Sequence, residues 1–379
     1  MADADPDPDG ELTANAAIRV AALQDALREV RGQKVPQRKE LEPAFSEVVS
    51  DYMTQWRTQR GLKETNTEQQ KDATFRLFKG FWNDKPIRGV RDADASRFHD
   101  ALRRTDRDWA RANGAKEMAW AKVQELFGGS DNGLADATMN RHLATLKGLW
   151  DWAARRGHCS GHNPFDGFHR KLRTGVNVLG YLAWEKEELG ALFAKPPKRA
   201  DIREVILVGM YSGMRLDEIA SLRWEQLREG EGVRYFQVED AKTPAGNRQV
   251  PLHPSLAWLW DRKPAGGTGQ VWTTFNGEGP GKKAGADASK EFSRFKSARG
   301  FKDRRKVFHS FRKNVTRIME RATVPENEWA QVFGHEKGFT YGRYNPDGIT
   351  LERKRDIIEL IEYPGVTLPA PARPSSDAG

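Results

Sequence analysis

Ser212 to Trp224 reads SGMRLDEIASLRW, and the rest of the chain is best understood outward from this stretch. Gly213 permits a tight turn, and Ile219, Leu222 and Leu227 follow at near-helical spacing, so a helix is expected from Leu216 to Leu227. Arg215 then stands at the helix start, from which it can project toward an anion. A guanidinium fork placed there can grip two oxygens of one phosphate. Alone, an arginine before a helix is more often half of a surface ion pair, here with Asp217 or Glu218. The residues further down the chain change that balance.

Four later stretches carry matching chemistry: DAKTPAGNRQVPLH from Asp240, HSFRKN from His309, VFGHEKG from Val332 and TYGRYN from Thr340. They supply Lys242, His309 with Arg312, His335, and Tyr344. All but the tyrosine can place positive charge or hydrogen-bond donors around an anion, and the tyrosine is a hydroxyl nucleophile. That set suits phosphoryl transfer, in which the protein mostly positions groups and stabilises charge on non-bridging oxygens. His309 and Arg312, three apart, share one helix face, with Phe308, Phe311, Val315 and Ile318 forming the opposite, buried stripe. His335 follows Gly334 at the end of a helix carrying Trp329, Val332 and Phe333, a place where Gly-His is often a cap.

In order and spacing these motifs resemble the tyrosine recombinase family, the phage-type integrases. The run G-M-R-x-x-E-I-x-x-L-x-W matches the family's first arginine motif, and K-T-x-x-x-x-R-x-V-P-L looks like its mobile β-turn lysine. The family's L-G-H stands here as F-G-H. The resemblance implies that Arg215 and Arg312 clamp a scissile phosphate and that His335 donates to it. It makes His309 a proton-handling or phosphate-binding group, and Lys242 the acid that protonates the departing 5′-oxygen. Glu218 is expected to buttress its neighbours. Two tyrosines follow His335, Tyr341 and Tyr344; Gly342-Arg343-Tyr344 is similar to the G-R-Y version of the family's nucleophile, so Tyr344 is favoured over Tyr341.

Length and charge are compatible with this. A chain of 379 residues can hold two or three domains, and a formal charge of +9 favours a polyanionic partner. The single cysteine, Cys159, excludes an intramolecular disulfide and fits a reducing compartment. No apolar run approaches the length of a membrane span, and the acidic start MADADPDPDG is unlike a signal peptide, so a cytoplasmic, nucleoid-associated protein is expected.

The expected fold is mainly α with a small β-sheet. Residues 1–36 read as an acidic extension, with helical spacing at Ile18, Ala22, Leu27 and Val30. Residues 37–167 read as a helical domain, with clusters at Val48, Tyr52 and Trp56, at Phe75 to Phe81, and along a helix from Thr138 to Arg156. A basic linker is expected over 168–178, a mixed domain over 179–364 and a disordered tail over 365–379. Within the mixed domain, Val233–Val238 and Arg248–Leu252 read as a hairpin, and helices are expected at about 202–211, 309–322, 325–333 and 349–361.

By resemblance, 37–167 corresponds to the family's core-binding domain and 179–364 to its catalytic integrase domain. The resemblance then implies a site-specific recombinase that cuts and rejoins duplex DNA through a 3′-phosphotyrosyl link. It would need neither cofactor nor metal, would assemble as a homo-tetramer on attachment sites, and could take a directionality factor. A type IB topoisomerase-like relaxing enzyme and an inactive DNA-binding relative are the alternatives.

Overall fold

The computed structural model describes residues 14–33, 43–60, 66–176, 178–239, 247–275, 277, 283–335 and 348–372. The chain divides into two compact units, the second beginning at Thr174.

The first unit is helical among its described residues: α1 (Ala14–Val30), α2 (Phe45–Arg60), α3 (Asn66–Trp82), α4 (Asp92–Arg103), α5 (Trp120–Phe127) and α6 (Asp136–Arg155). Its core is aromatic. Phe78 of α3 sits among Phe45, Phe98 and Phe165 with ring centroids 5.2, 5.0 and 5.4 Å away, in the tilted and edge-on geometries that aromatic quadrupoles favour. On α6 the residues Leu143, Leu146, Leu149, Trp150 and Ala153 are buried, as their spacing predicts. Among the polar residues buried on the same helix is His142. The Thr74 hydroxyl donates to the Gln70 carbonyl, so its oxygen is left to accept from His142 Nδ1, 2.8 Å away. Burial and then the charge of Arg141 push the His142 imidazolium down to about 4, which keeps the ring neutral at ordinary pH. On α1, Leu27 and Val30 are exposed instead of forming a buried stripe.

The second unit is mixed. It contains α7 (Lys186–Phe193), α8 (Ala200–Ser212), α9 (Leu216–Ala220), β1 (Leu227–Gly230), β2 (Val233–Val238), β3 (Arg248–Pro251), α10 (Ala257–Asp261), α11 (Gly285–Ala298), α12 (His309–Arg321), α13 (Glu326–Phe333) and α14 (Leu351–Glu359). The strands form one antiparallel sheet in the order β1-β2-β3, with Leu227 opposite Phe236 and Phe236 opposite Val250. The expected hairpin is therefore present, with a third strand added to it.

That third strand corrects the sequence reading. The helix expected over 216–227 stops at Ala220, makes a short 3-10 turn at Trp224–Gln226 and enters β1. Ile219, Leu222 and Leu227 are buried as their periodicity implies. The backbone leaves the helix because a distant segment competes for its hydrogen bonds: Trp224 N donates to Gly269 O, and Val271 N donates to Leu222 O, both at 2.8 Å. Helix α11 was also not anticipated from the sequence, and it packs Ala288 and Phe292 into the core.

Helix α14 packs in its own unit. Ile357, Ile358 and Ile361 are fully buried in the core cluster that holds Val250 and Phe333. Beyond it, the Tyr363 hydroxyl donates to Met210 O at 2.9 Å, and Ala372 N donates to Glu204 Oε1 at 3.0 Å. Burying three isoleucines stabilises by roughly 5–9 kcal/mol, comparable with the whole stability of a domain. A chain ending at Gly348 should therefore lose the cooperative thermal unfolding of this unit and much of its circular dichroism. If that truncated chain instead melts close to the full-length protein, α14 is not part of the core it occupies here.

Candidate active site

The turn after α8 is built around Gly213, whose φ of 59° lies in the left-handed region. A Cβ there would come within 2.9 Å of the Phe333 ring, so the turn also needs glycine for space. The chain then presents Arg215 as the N-cap of α9. Its backbone N–H and its Nη1 donate to the two oxygens of Glu218, each at 2.9 Å, and its Nη2 reaches Gly334 O at 3.2 Å. About 42% of the side chain stays exposed, leaving guanidinium hydrogens for a ligand.

Helix α12 begins at His309, and Phe311, Val315 and Met319 bury one side of it. Ile318, expected on that stripe, is only partly buried. Arg312 departs further from expectation: instead of lying on an open polar face, it is 4% exposed. Its Nη1 donates to Gly213 O at 2.7 Å, its Nη2 to Phe333 O, and its Nε to His335 Nε2 at 3.2 Å. Burial, then the charges of Arg248 and Arg215, push Arg312 down to about 9. It therefore remains a cation at neutral pH, held in surroundings that favour an anion beside it.

His335 follows Gly334, which caps α13 with a φ of 68°. Its ring lies edge-on to Trp329, with centroids 5.2 Å apart. Because Nε2 accepts from Arg312, the neutral ring carries its proton on Nδ1, where it can donate to a ligand. Burial, followed by the charges of Arg312 and Arg215, pushes the His335 imidazolium down to about 4. His309 is exposed and packs against Tyr181 at 5.3 Å. Surrounding protein atoms and then the Arg312, Lys313 and Arg215 charges push it down to about 4 as well, an effect that solvent at its exposed edge will soften.

Arg215, His309, Arg312 and His335 thus converge, although they are spread over 120 positions of the sequence. Lys242, Tyr341 and Tyr344 lie outside the described residues. The structure adds a residue that the sequence reading had not placed in the site. Arg248, at the start of β3, has a side chain only 3% exposed and donates from Nη1 and Nη2 to Glu218 at 3.2 and 2.9 Å. Its Nε donates to Val332 O at 2.9 Å. A signal for it existed: strand alternation places Arg248 on the same inward side as the buried Val250, and an inward arginine requires a carboxylate.

Glu218 is the carboxylate both arginines share. Burial would raise its pKa, but Arg248 and then Arg215 more than offset this and hold it below the usual range. Two guanidiniums therefore grip one carboxylate, and a third, Arg312, lies within reach of its charge. The excess positive charge, beside two neutral imidazoles, is suited to receiving a phosphate-like anion.

No protein-family model and no curated protein sequence matches the chain. Solved structures do resemble it. A lambda integrase dimer bound to a COC′ core site is 14% identical, covers 88% of this chain and 87% of its own, and superposes with a TM-score of 0.53. A Tn1549 transposon integrase in complex with a circular intermediate DNA is 16% identical, covers 84% and 99%, and gives 0.54. A lambda integrase tetramer bound to a Holliday junction, 14% identical over 85% and 88%, gives 0.52. Likeness at this identity speaks to architecture: the chain has the fold of the tyrosine-recombinase integrases, a helical unit followed by a mixed unit with a small antiparallel sheet.

Proposed function

We propose that this protein is a site-specific DNA recombinase that integrates or excises a mobile element. The observation that carries this reading is the convergence of Arg215, Arg312 and His335 on one anion-ready patch. In the proposed reaction the Tyr344 hydroxyl gives its proton to the neutral His309 ring or to solvent as its oxygen attacks phosphorus, forming a new P–O bond while the bond to the 5′-oxygen breaks. Lys242 supplies the proton taken up by the 5′-oxygen. The product is a 3′-phosphotyrosyl link and a free 5′-hydroxyl. Arg215, Arg312 and the Nδ1–H of His335 would hold the non-bridging oxygens and offset charge as the pentavalent transition state forms. Because the link keeps the phosphodiester's energy, a 5′-hydroxyl from another duplex can reverse the step. Two duplexes cut on both strands call for four protomers, so a homo-tetramer on DNA is the proposed working assembly.

Cationic side chains take the place of a Lewis acid in this scheme. A duplex nicked near the cleavage point should trap a protein–DNA adduct that survives SDS and is removed by protease, and it should form in excess EDTA. Loss of the adduct in EDTA, with recovery on adding Mg²⁺, would remove the tyrosine mechanism. Relaxation of supercoiled plasmids regardless of sequence would point to a topoisomerase instead.

A further inference from the structure

We propose that Arg248 is a positioning residue for the phosphate-clamping pair, locking the end of α13 and the Glu218 carboxylate into the frame on which Arg215 and Arg312 are aimed. The last carbonyls of a helix have no partner within it and form the negative end of its dipole. At the end of α13, three successive carbonyls each receive a different arginine: Val332 O takes Arg248 Nε, Phe333 O takes Arg312 Nη2, and Gly334 O takes Arg215 Nη2. Of the three, Arg215 stays substantially exposed and keeps hydrogens for a ligand, while Arg312 and Arg248 are buried. Arg248 is committed inward, donating its whole fork to Glu218.

That two-pronged contact fixes the plane of the carboxylate. The same oxygens then accept the Nη1 and backbone N–H of Arg215 and so set the direction of its fork. The Arg248 stem and guanidinium also fill the space beneath the cap before His335: a Cβ on Gly334 would lie 3.0 Å from both Arg248 Cδ and Nη1. Without Arg248, Glu218 is left buried with Arg215 as its main partner, free to turn and draw the fork away from a ligand. The end of α13, which also orients Arg312, loses one of its three ties.

The cleavage arm of the test rests on the proposed recombinase reading; a second arm does not. Arg248→Met keeps an apolar stem of similar length, and Arg248→Lys keeps the charge but cannot make all three contacts at once. The substrate is a nicked duplex recovered from a random-sequence pool by covalent capture on the unaltered protein. It is compared with the same duplex bearing a neutral methylphosphonate at the scissile position. On the natural phosphodiester, Arg248→Met should cleave about 100-fold more slowly, the scale expected when a clamp is misaimed. Much of that loss should vanish on the methylphosphonate, which lacks the charge the clamp offsets, and Arg248→Lys should fall between. Equal loss on both substrates, or none, overturns the proposal.

The second arm follows the His335 ring by NMR titration without DNA. Arg312 and Arg215 are the leading charges that hold it down. Arg248→Lys keeps the positive charge at this position, so a shift toward the ordinary imidazole value in that variant reports that Arg312 and Arg215 have moved. An unchanged titration in a folded variant overturns the proposal, and Arg248→Lys carries both readouts if Arg248→Met does not fold. If the pool yields no adduct with the unaltered protein, the recombinase reading fails while the titration still decides the role of Arg248.

Discussion

Replacing Tyr344 by phenylalanine should leave no detectable covalent protein–DNA adduct while binding to the duplex stays within about twofold. The change removes one hydroxyl, the atom that would form the new bond to phosphorus, and no charge that meets the DNA backbone. Tyr341 is the control, because it precedes Tyr344 by only three residues and is the other tyrosine close behind His335. The Tyr341→Phe protein should form the adduct at a rate near that of the unaltered protein. If it loses the adduct and Tyr344→Phe keeps it, the nucleophile is Tyr341. If both proteins keep it, the nucleophile is neither, and the phosphotyrosyl scheme would have to be rebuilt around another group.

Arg312→Ala should slow cleavage about 1,000-fold, the upper end of what removing one charge-stabilising donor costs. It should also lower stability, because Gly213 O, Phe333 O and His335 Nε2 each lose a donor in a buried place. Cleavage is therefore to be measured well below the variant's melting temperature, with circular dichroism as the check on folding. The His335 titration gives an independent reading. Its imidazolium is held near 4 by burial first and by Arg312 next, so removing that guanidinium should move the value upward toward 6.5. A folded Arg312→Ala protein that cleaves within about threefold of the unaltered one would falsify the clamp assignment.

The pH consequence has a definite sign. A histidine whose folded value lies below its unfolded one is neutral in the fold at neutral pH, so its contribution to stability is present above about 6.5. That contribution is lost as pH falls toward 4, because the unfolded chain takes up the proton first. For His142, buried against Thr74, this acts on the helical unit. For His335, an anion bound beside Nδ1 would oppose the shift, because it favours the charged ring.

Much of this was legible in the sequence because it depends on local periodicity. The apolar stripe of α6, the hairpin strands, the start of α12 and the glycine before His335 all follow from residue spacing and turn chemistry, which act over a few positions. Arg215, His309, Arg312 and His335 came forward as candidates because their motifs, in order and spacing, resemble those of the tyrosine recombinases. Three things needed the tertiary structure. The helix after Arg215 gave way to β1 because the backbone at Gly269 and Val271 outcompetes helical bonds there. Arg312 lost its solvent because Gly213, Phe333 and His335, from other parts of the chain, close around it. Arg248, Glu218 and the end of α13 meet only when strand, turn and helix pack together. Local patterns along the chain therefore specified which charged groups were available. Long-range packing, by desolvating some of those groups and pairing them with carbonyls far away in sequence, decided which became rigid and which stayed open to a ligand.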